Sequence, residues 1–224
     1  MKRSYVSEKT LPSKTREWKK AIDPYNHHVM EPDWERTALL VIDMQRYFLD
    51  PESPACLPGG PPILSNVEKI IRRFRDSGLP VIFTRHVHHD LKHDGGMMAR
   101  WWKENIMEGT PESEIHPRIS PREGEKVILK HRYSAFYNTD LEIVLRCLGV
   151  TDLVVTGVMT NLCCESTARD AFFRDFRVFF LLDATGTVCE EFHLSTLINL
   201  AYGFAYVTGT SDILDQHRSR HRLT

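Results

Sequence analysis

The sequence predicts an α/β fold, a three-layer α/β/α sandwich around a six-stranded parallel sheet. Short apolar runs rich in β-formers recur along the chain, and segments with helical periodicity separate them. Strands that alternate with helices imply parallel βαβ units, because each right-handed crossover covers one face of the sheet. The sequence contains no internal repeat. We therefore expect one domain over residues 37–224, preceded by an N-terminal extension or arm over residues 1–36.

The first elements follow a polar start. Residues 1–36 are charged and weakly periodic, which is typical of a segment that frays or packs on a neighbouring subunit. The apolar run 37–43 predicts a strand that is covered on both faces. A helix is predicted over 61–78, because prolines stand at its start and a glycine at its end. Residues 79–84 predict the second strand.

The region from Arg85 to Pro121 is the least regular part of the domain. It is rich in histidine and contains Trp101 and Trp102. We expect a helical piece around 97–107 within a long functional loop.

The remaining elements alternate regularly. In chain order, we predict a strand over 126–130, a helix over 139–149, a strand over 152–157, a helix over 161–175, a strand over 177–183, a helix over 190–203 and a strand over 204–209. The first of these helices opens with a Thr-x-x-Glu capping box and ends at a glycine.

The composition disfavours several classes of function. The formal net charge is −1, so nothing indicates nucleic acid or an anionic membrane as a partner. No apolar run is long enough to span a bilayer, and the basic N-terminus lacks the apolar core of a secretory signal. The five cysteines are odd in number and lack framework spacing, which predicts a reducing, cytoplasmic setting.

Three reactive residues follow predicted strands: Asp43, Lys130 and Cys163. Ligands of open parallel sheets bind beyond the carboxyl ends of the strands, so these residues are candidates for one site. Taken singly, each has a plainer interpretation, as a turn aspartate, a solvated lysine or a small core cysteine. Thr160 is a candidate N-cap that would place Cys163 in the first helical turn, where the helix dipole lowers the pKa of a thiol. Cys164 would point away and pack against the sheet.

Three segments resemble the isochorismatase-like cysteine hydrolases. They are LLVIDMQRYF (39–48), VILKHRYSAFYNTDL (127–141) and TGVMTNLCCESTARDAFF (156–173). The resemblance covers about residues 37–214. This family includes nicotinamidases, isochorismatases and amidohydrolases of the ureidoacrylate and N-carbamoylsarcosine types, and the last two are most similar in their motifs. The resemblance implies an isochorismatase-like fold and homo-oligomers, either dimers or tetramers.

The resemblance also implies roles for individual residues. Asp43 would be the base, Lys130 the partner cation and Cys163 the nucleophile of an acyl transfer. A cis peptide bond between Val158 and Met159 would aim the backbone N–H of Met159, together with that of Cys163, at the oxyanion. We therefore expect a cysteine hydrolase that cleaves a C–N bond of a small amide or ureido/carbamoyl substrate.

Substrate contacts are predicted for five residues near these motifs: Trp101, His86, Tyr133, Phe136 and Asn138. For the aromatic residues, core packing is an equally good interpretation. The acyl-transfer chemistry requires no cofactor, and we predict neither a cofactor nor a metal.

Several alternatives remain open. Isochorismatase-type ether hydrolysis would use Asp43 and would not need Cys163. Nicotinamidases carry a metal-binding Asp-x-His after the second strand, whereas His86 and His88 stand at the matching positions here. A metal at His86, His88 and His93 is an alternative, because imidazoles suit zinc or iron. A binding protein that retains the fold without activity is the third class, which the intact reactive set disfavours.

Overall fold

The sheet in the computed structural model, which describes residues 3–220, has the predicted architecture. Within that range six strands are present: β1 (Thr37–Ile42), β2 (Val81–His86), β3 (Lys126–Lys130), β4 (Asp152–Val158), β5 (Arg177–Gly186) and β6 (Tyr206–Thr208). Their order is β3-β2-β1-β4-β5-β6, and every neighbouring pair is parallel. The chain therefore leaves β1 toward one edge and later resumes at β4 on its other side. This topological switch point is where α/β sheets open a crevice.

Eight α-helices lie within residues 3–220. They are α1 (Leu11–Ile22), α2 (Arg46–Leu49), α3 (Gly60–Asp76), α4 (Gly96–Trp101), α5 (Leu141–Cys147), α6 (Glu165–Phe172), α7 (Glu190–Gly203) and α8 (Thr210–Arg220). None of the helices within this range combines the length and apolar character that crossing a bilayer requires.

Two hydrophobic clusters cover the two faces of the sheet. Leu40 and Ile42 of β1 face a cluster to which α1, α5, α6 and α7 contribute. Leu39 and Val41 face the second cluster, which α3 and α8 complete. Side chains alternate between the faces of a strand, so a strand with apolar residues at every position must be covered on both sides. The predicted three-layer sandwich is confirmed.

The N-terminal segment lies on the core of its own chain. Helix α1 buries Leu11, Trp18 and Ile22, which stand seven and then four residues apart on one helical face. Val6 is buried in the same cluster. The segment was expected to fray or to pack on a neighbouring subunit. Its apolar positions are few and widely spaced among charges, so the helical period is weak in the sequence.

Several element bounds differ from the predictions. The helix expected around 97–107 is limited to α4, and a one-turn π-helix, Leu91–Gly95, precedes it. The helix expected over 161–175 divides into a π-helical turn, Thr160–Cys164, and α6. Helix α8 was not predicted, because its sequence carries few apolar residues.

Candidate active site

The structure brings the three reactive residues together at the switch point. Asp43 follows β1, Lys130 ends β3, and Cys163 lies in the π-helical turn after β4. All three are buried. Nζ of Lys130 lies 2.6 Å from Oδ2 of Asp43 and 3.3 Å from Sγ of Cys163. A buried ammonium group therefore contacts both the candidate base and the candidate nucleophile.

Neighbouring strands hold Asp43 in an unusual backbone conformation. Its φ of 46° lies in the left-handed region, which aspartate tolerates better than most residues. Thr84 of β2 accepts the backbone N–H of Asp43 at 3.0 Å and donates its hydroxyl to Oδ1 at 2.5 Å. Gly157 of β4 packs closely against Ile42, the residue before Asp43. A Cβ at position 157 would come 2.0 Å from the carbonyl oxygen of Ile42. Thr84 was not predicted as a site residue, and its signal in the sequence is that it is the one polar residue of the predicted strand 79–84.

Lys130 retains its charge in this buried position. Burial lowers the pKa of Lys130, but the carboxylate of Asp43, together with the neighbouring sulfur of Cys163, outweighs this effect and raises the pKa above its ordinary value. Nζ also donates to the carbonyl oxygen of Arg132 at 3.0 Å. A buried charge persists only with such partners.

The pKa of Cys163 differs from the prediction. Burial has the largest effect on the pKa of its thiol and raises it, the charge of Lys130 lowers it and the charge of Asp43 raises it. Together these effects give a pKa of about 12. Lys130 does lower the pKa, but the net lowering expected for this thiol is wrong, because loss of solvent around the thiol is the larger effect. The thiol is therefore protonated in the free protein.

The turn around Cys163 also departs from its predicted capping. Met159, not Thr160, occupies the N-cap position of the π-helical turn. The hydroxyl of Thr160 lies 3.0 Å from Nδ1 of His193. The peptide bond between Val158 and Met159 is cis, as the resemblance implied. Cys164 packs against β4, where Sγ lies 3.9 Å from the carbonyl oxygen of Thr156.

His86 is the predicted substrate residue that lies nearest the reactive set. Its Nδ1 is 3.4 Å from Nζ of Lys130. Burial and the charge of Lys130 hold the pKa of His86 well below its ordinary value, so the ring is neutral. Gln45 fixes its backbone by accepting the N–H at 2.8 Å and donating to the carbonyl oxygen at 3.1 Å. Gln45, two residues after Asp43, was missed because glutamine after a strand is not distinctive.

The other predicted substrate residues occupy different environments. Tyr133 is half-buried, and its hydroxyl accepts the indole N–H of Trp102 at 2.9 Å. Phe136 lies in the hydrophobic core. Trp101 and Asn138 are exposed.

Two groups of potential metal ligands occur among the described residues. In one, single donor atoms of His88, Asp94 and His131 lie within 4.8 Å of one another. Nδ1 of His88 is 2.9 Å from Asp94, and its buried Nε2 has no hydrogen-bond partner among the described residues. His93 is exposed and His86 lies against an ammonium group, so the trio of His86, His88 and His93 is not a ligand set. Two imidazoles and a carboxylate suit a divalent cation, so His88, Asp94 and His131 are the better candidate ligand set.

The second group is part of the reactive set. Donor atoms of Asp43, His86 and Cys163 also lie within 4.8 Å of one another. Lys130 already supplies a positive charge between them. A metal ion fits poorly there, because it would be repelled by the ammonium group.

Comparisons with known proteins agree with this geometry. A family model described as "Isochorismatase domain" matches residues 37–212. Nicotinamidase 3 of Arabidopsis thaliana is 44% identical over 186 residues, which cover 82% of this chain and 89% of that protein. Ureidoacrylate amidohydrolase of Caulobacter segnis is 30% identical over 203 residues, which cover 80% of this chain and 85% of that protein. A solved cysteine hydrolase from Pseudomonas syringae pv. phaseolicola superposes with a TM-score of 0.81 at 29% identity, covering 85% and 96%. The chain belongs to the isochorismatase family.

Proposed function

We propose that this protein is a cysteine hydrolase that cleaves a C–N bond of a small amide or ureido/carbamoyl substrate. The observation that carries the proposal is the buried ammonium group of Lys130, 2.6 Å from Asp43 and 3.3 Å from Cys163. A thiol beside a carboxylate, with a cation that contacts both, is an arrangement for nucleophilic acyl transfer. The amidases among the relatives support the same chemistry.

The first step couples proton transfer to attack. Because the thiol is protonated in the free protein, Asp43 takes the proton of Cys163 as sulfur attacks the carbonyl carbon. A C–S bond forms and the carbonyl π pair moves onto oxygen. The backbone N–H groups of Met159 and Cys163 are the proposed donors to this oxyanion. Lys130 stabilises the negative charge on sulfur and on the carboxylate.

The second half of the cycle returns the enzyme to its starting state. Protonated Asp43 gives its proton to the departing nitrogen as the C–N bond breaks, and ammonia or an amine leaves. Asp43 then takes a proton from water, and the hydroxide attacks the Cys163 thioester. The C–S bond breaks and the acid is released, and protonated Asp43 returns its proton to the thiolate of Cys163.

Substrate binding is assigned to the surroundings of this set. The ring of His86 is neutral, and its Nδ1 lies beside Nζ of Lys130. We therefore propose that His86 orients a polar group of the substrate. Tyr133, bound to Trp102, is proposed as one wall. The remaining proposed substrate contacts are Trp101, Phe136 and Asn138. Phe136 lies in the core, so its side chain would have to move furthest to reach a substrate.

A nicotinamidase-like amidase is the second candidate. It is favoured by the 44% identity to Nicotinamidase 3 of Arabidopsis thaliana, and it would use the same three residues on an aromatic carboxamide. The two candidates differ in the substrate, not in the mechanism.

We also propose a cytoplasmic homo-oligomer, dimeric or tetrameric. Among the described residues, Cys147, Cys163, Cys164 and Cys189 are free thiols, which supports a reducing compartment. The exposed aromatic side chains of Phe172, Phe173 and Tyr202 support association of copies, because such surfaces favour burial.

The test is ammonia release over a panel that includes nicotinamide, ureidoacrylate, N-carbamoyl amino acids and simple amides. The parent protein and Cys147→Ala, which removes an exposed thiol, are expected to hydrolyse at least one member. Cys163→Ala is expected to be inactive on it. Ammonia release by Cys163→Ala at the parent rate would rule out the covalent amidase mechanism. Hydrolysis of isochorismate, assayed separately, with no ammonia release from any member of the panel would replace this proposal with ether hydrolysis by Asp43.

A further inference from the structure

Two chains of contacts join the N-terminal segment to the turn that carries Cys163. The segment lies outside residues 37–212, which the family model matches. The turn is the stretch 159–163, and its residues Thr160 and Asn161 each bind a side chain from β5, α7 or the loop between them.

The first chain runs through a buried histidine. The ring of Trp18 packs on the ring of His193 with centroids 4.5 Å apart. Nε2 of His193 lies 3.0 Å from the carbonyl oxygen of Leu182, which only accepts hydrogen bonds, so this nitrogen carries the proton. Nδ1 therefore accepts the hydroxyl of Thr160 at 3.0 Å. Burial lowers the pKa of His193 to about 4, which keeps the ring in this neutral form.

The second chain runs through a tyrosine. The hydroxyl oxygen of Tyr5 accepts the backbone N–H of Thr187 at 3.2 Å. The hydroxyl of Thr187 donates to the side-chain oxygen of Asn161 at 2.6 Å. The ring of Tyr5 also lies 6.2 Å from that of Trp18, so the two chains support each other.

Helix α1 is held in register by polar contacts as well as by packing. The indole N–H of Trp18 donates to Glu190 at 2.8 Å, at the start of α7. Lys14 binds the same carboxylate at 3.1 Å. Apolar packing alone would allow the helix to slide, whereas these directional bonds fix where the indole meets His193.

We propose that Trp18 and Tyr5 are positioning residues for the nucleophile turn, acting through His193 on Thr160 and through Thr187 on Asn161. This inference rests on the proposed function insofar as the turn carries the nucleophile and the oxyanion donors. Donors to an oxyanion must be held in place before the reaction, because a small displacement weakens them steeply. The N-terminal segment thereby completes the site from outside the matched domain.

The first test compares two variants of Thr160. Thr160→Val removes the hydroxyl with little change of shape and leaves Nδ1 of His193 without its donor, whereas Thr160→Ser retains the donor. We expect kcat to fall by about tenfold or more in the valine variant with KM nearly unchanged, and the serine variant to be near the parent. Equal kcat in all three proteins would overturn the inference.

The second test acts from the other end of the chain. Trp18→Ala opens His193 to water, while Trp18→Phe retains a ring on it, and Arg16→Ala changes an exposed residue of the same helix. In Trp18→Ala we expect kcat to decrease as the pH falls below about 6.5, the ordinary pKa of histidine. A protonated ring cannot accept the hydrogen bond of the Thr160 hydroxyl.

Among the described residues, Glu190 and Tyr5 are ionisable groups beside His193. Glu190 is paired with Lys14, and burial raises the pKa of Tyr5. The double variant Trp18→Ala/His193→Asn separates the effect of His193 on kcat from the effects of these groups. If kcat of the double variant still decreases toward acid pH, that decrease does not come from His193, and the inference fails.

A substrate-free measurement separates this inference from the proposed function. Amide hydrogen exchange of residues 159–163 and the rate of iodoacetamide modification of Cys163 are recorded for the parent, Trp18→Ala and Arg16→Ala. We expect both rates to rise by about tenfold or more in Trp18→Ala alone. Unchanged rates would overturn the inference even if the protein proves to be an amidase. If Trp18→Ala does not fold, Tyr5→Phe, which removes only the hydroxyl, decides by the same two rates.

Discussion

Lys130 and Asp43 form an ion pair of 2.6 Å in which both side chains are inaccessible to solvent. They are carried by strands that are not neighbours, because β2 separates β3 from β1. Removing two charges from water is costly, and their mutual attraction offsets this cost only while both partners are present. The pair therefore ties the stability of the fold to the composition of the site.

Removing one partner is expected to destabilise the protein more than removing both. Lys130→Met leaves the carboxylate of Asp43 buried without its cation, so we expect the free energy of unfolding to fall by about 3–5 kcal/mol. Asp43→Asn/Lys130→Met removes both charges and should recover part of this loss. Denaturant unfolding of the two variants measures the difference. A double variant less stable than Lys130→Met would contradict the account.

The hydroxyl of Thr84 is expected to set the position of the base. Thr84→Val removes the donor to Oδ1 of Asp43, and a hydrogen bond to a charged group contributes about 1.5–3 kcal/mol. We expect kcat to fall by roughly 10- to 100-fold. Thr84→Ser keeps the hydroxyl and should lose much less. Steady-state rates on a substrate found in the panel decide this, and parent-like kcat in the valine variant would show that Thr84 does not position Asp43.

Gly157 is expected to tolerate no side chain. Its φ is 114°, and an added Cβ would lie 2.0 Å from the carbonyl oxygen of Ile42, which immediately precedes Asp43. Gly157→Ala should lower the free energy of unfolding by about 3 kcal/mol or more. Gly203→Ala is the matched control, because no atom in the part of the chain that the structure describes lies within 4 Å of a Cβ at that position. Equal melting temperatures for the two variants would be inconsistent with the close approach of β4 to β1.

The burial of His193 predicts a loss of stability in acid. Its pKa is 6.5 in a solvated chain and about 4 in the fold, so between these values the unfolded state binds more protons than the folded state. Its contribution is complete above pH 6.5 and falls by about 3 kcal/mol as the pH drops to 4. His193→Asn lacks this titration. Urea unfolding at several pH values should show a smaller acid loss in His193→Asn, and parallel losses would refute the assignment.

The sequence was informative wherever a signal is local. The strands are continuous apolar runs, so their positions and the parallel architecture could be predicted. The convergence of Asp43, Lys130 and Cys163 followed from the rule that strand ends share one edge. Their catalytic roles stay a prediction until tested by activity.

Other features depend on contacts between distant residues. The contacts of Thr160 with His193 and of Asp43 with Thr84 join positions 33 and 41 residues apart, which no periodicity encodes. The pKa of Cys163 was predicted in the wrong direction, because a helix terminus is visible in a sequence and the loss of solvent around a side chain is not.

The nucleophilic role of Cys163 is measured most directly by trapping an acyl group on its sulfur. The protein is mixed with a substrate identified in the panel, quenched in acid during turnover and digested for mass spectrometry. We predict that the peptide containing Cys163 gains the mass of the acyl group as a thioester that hydroxylamine removes, and that Cys163→Ala shows neither adduct nor turnover. Full turnover by Cys163→Ala, or an adduct on another cysteine in its place, would contradict the account.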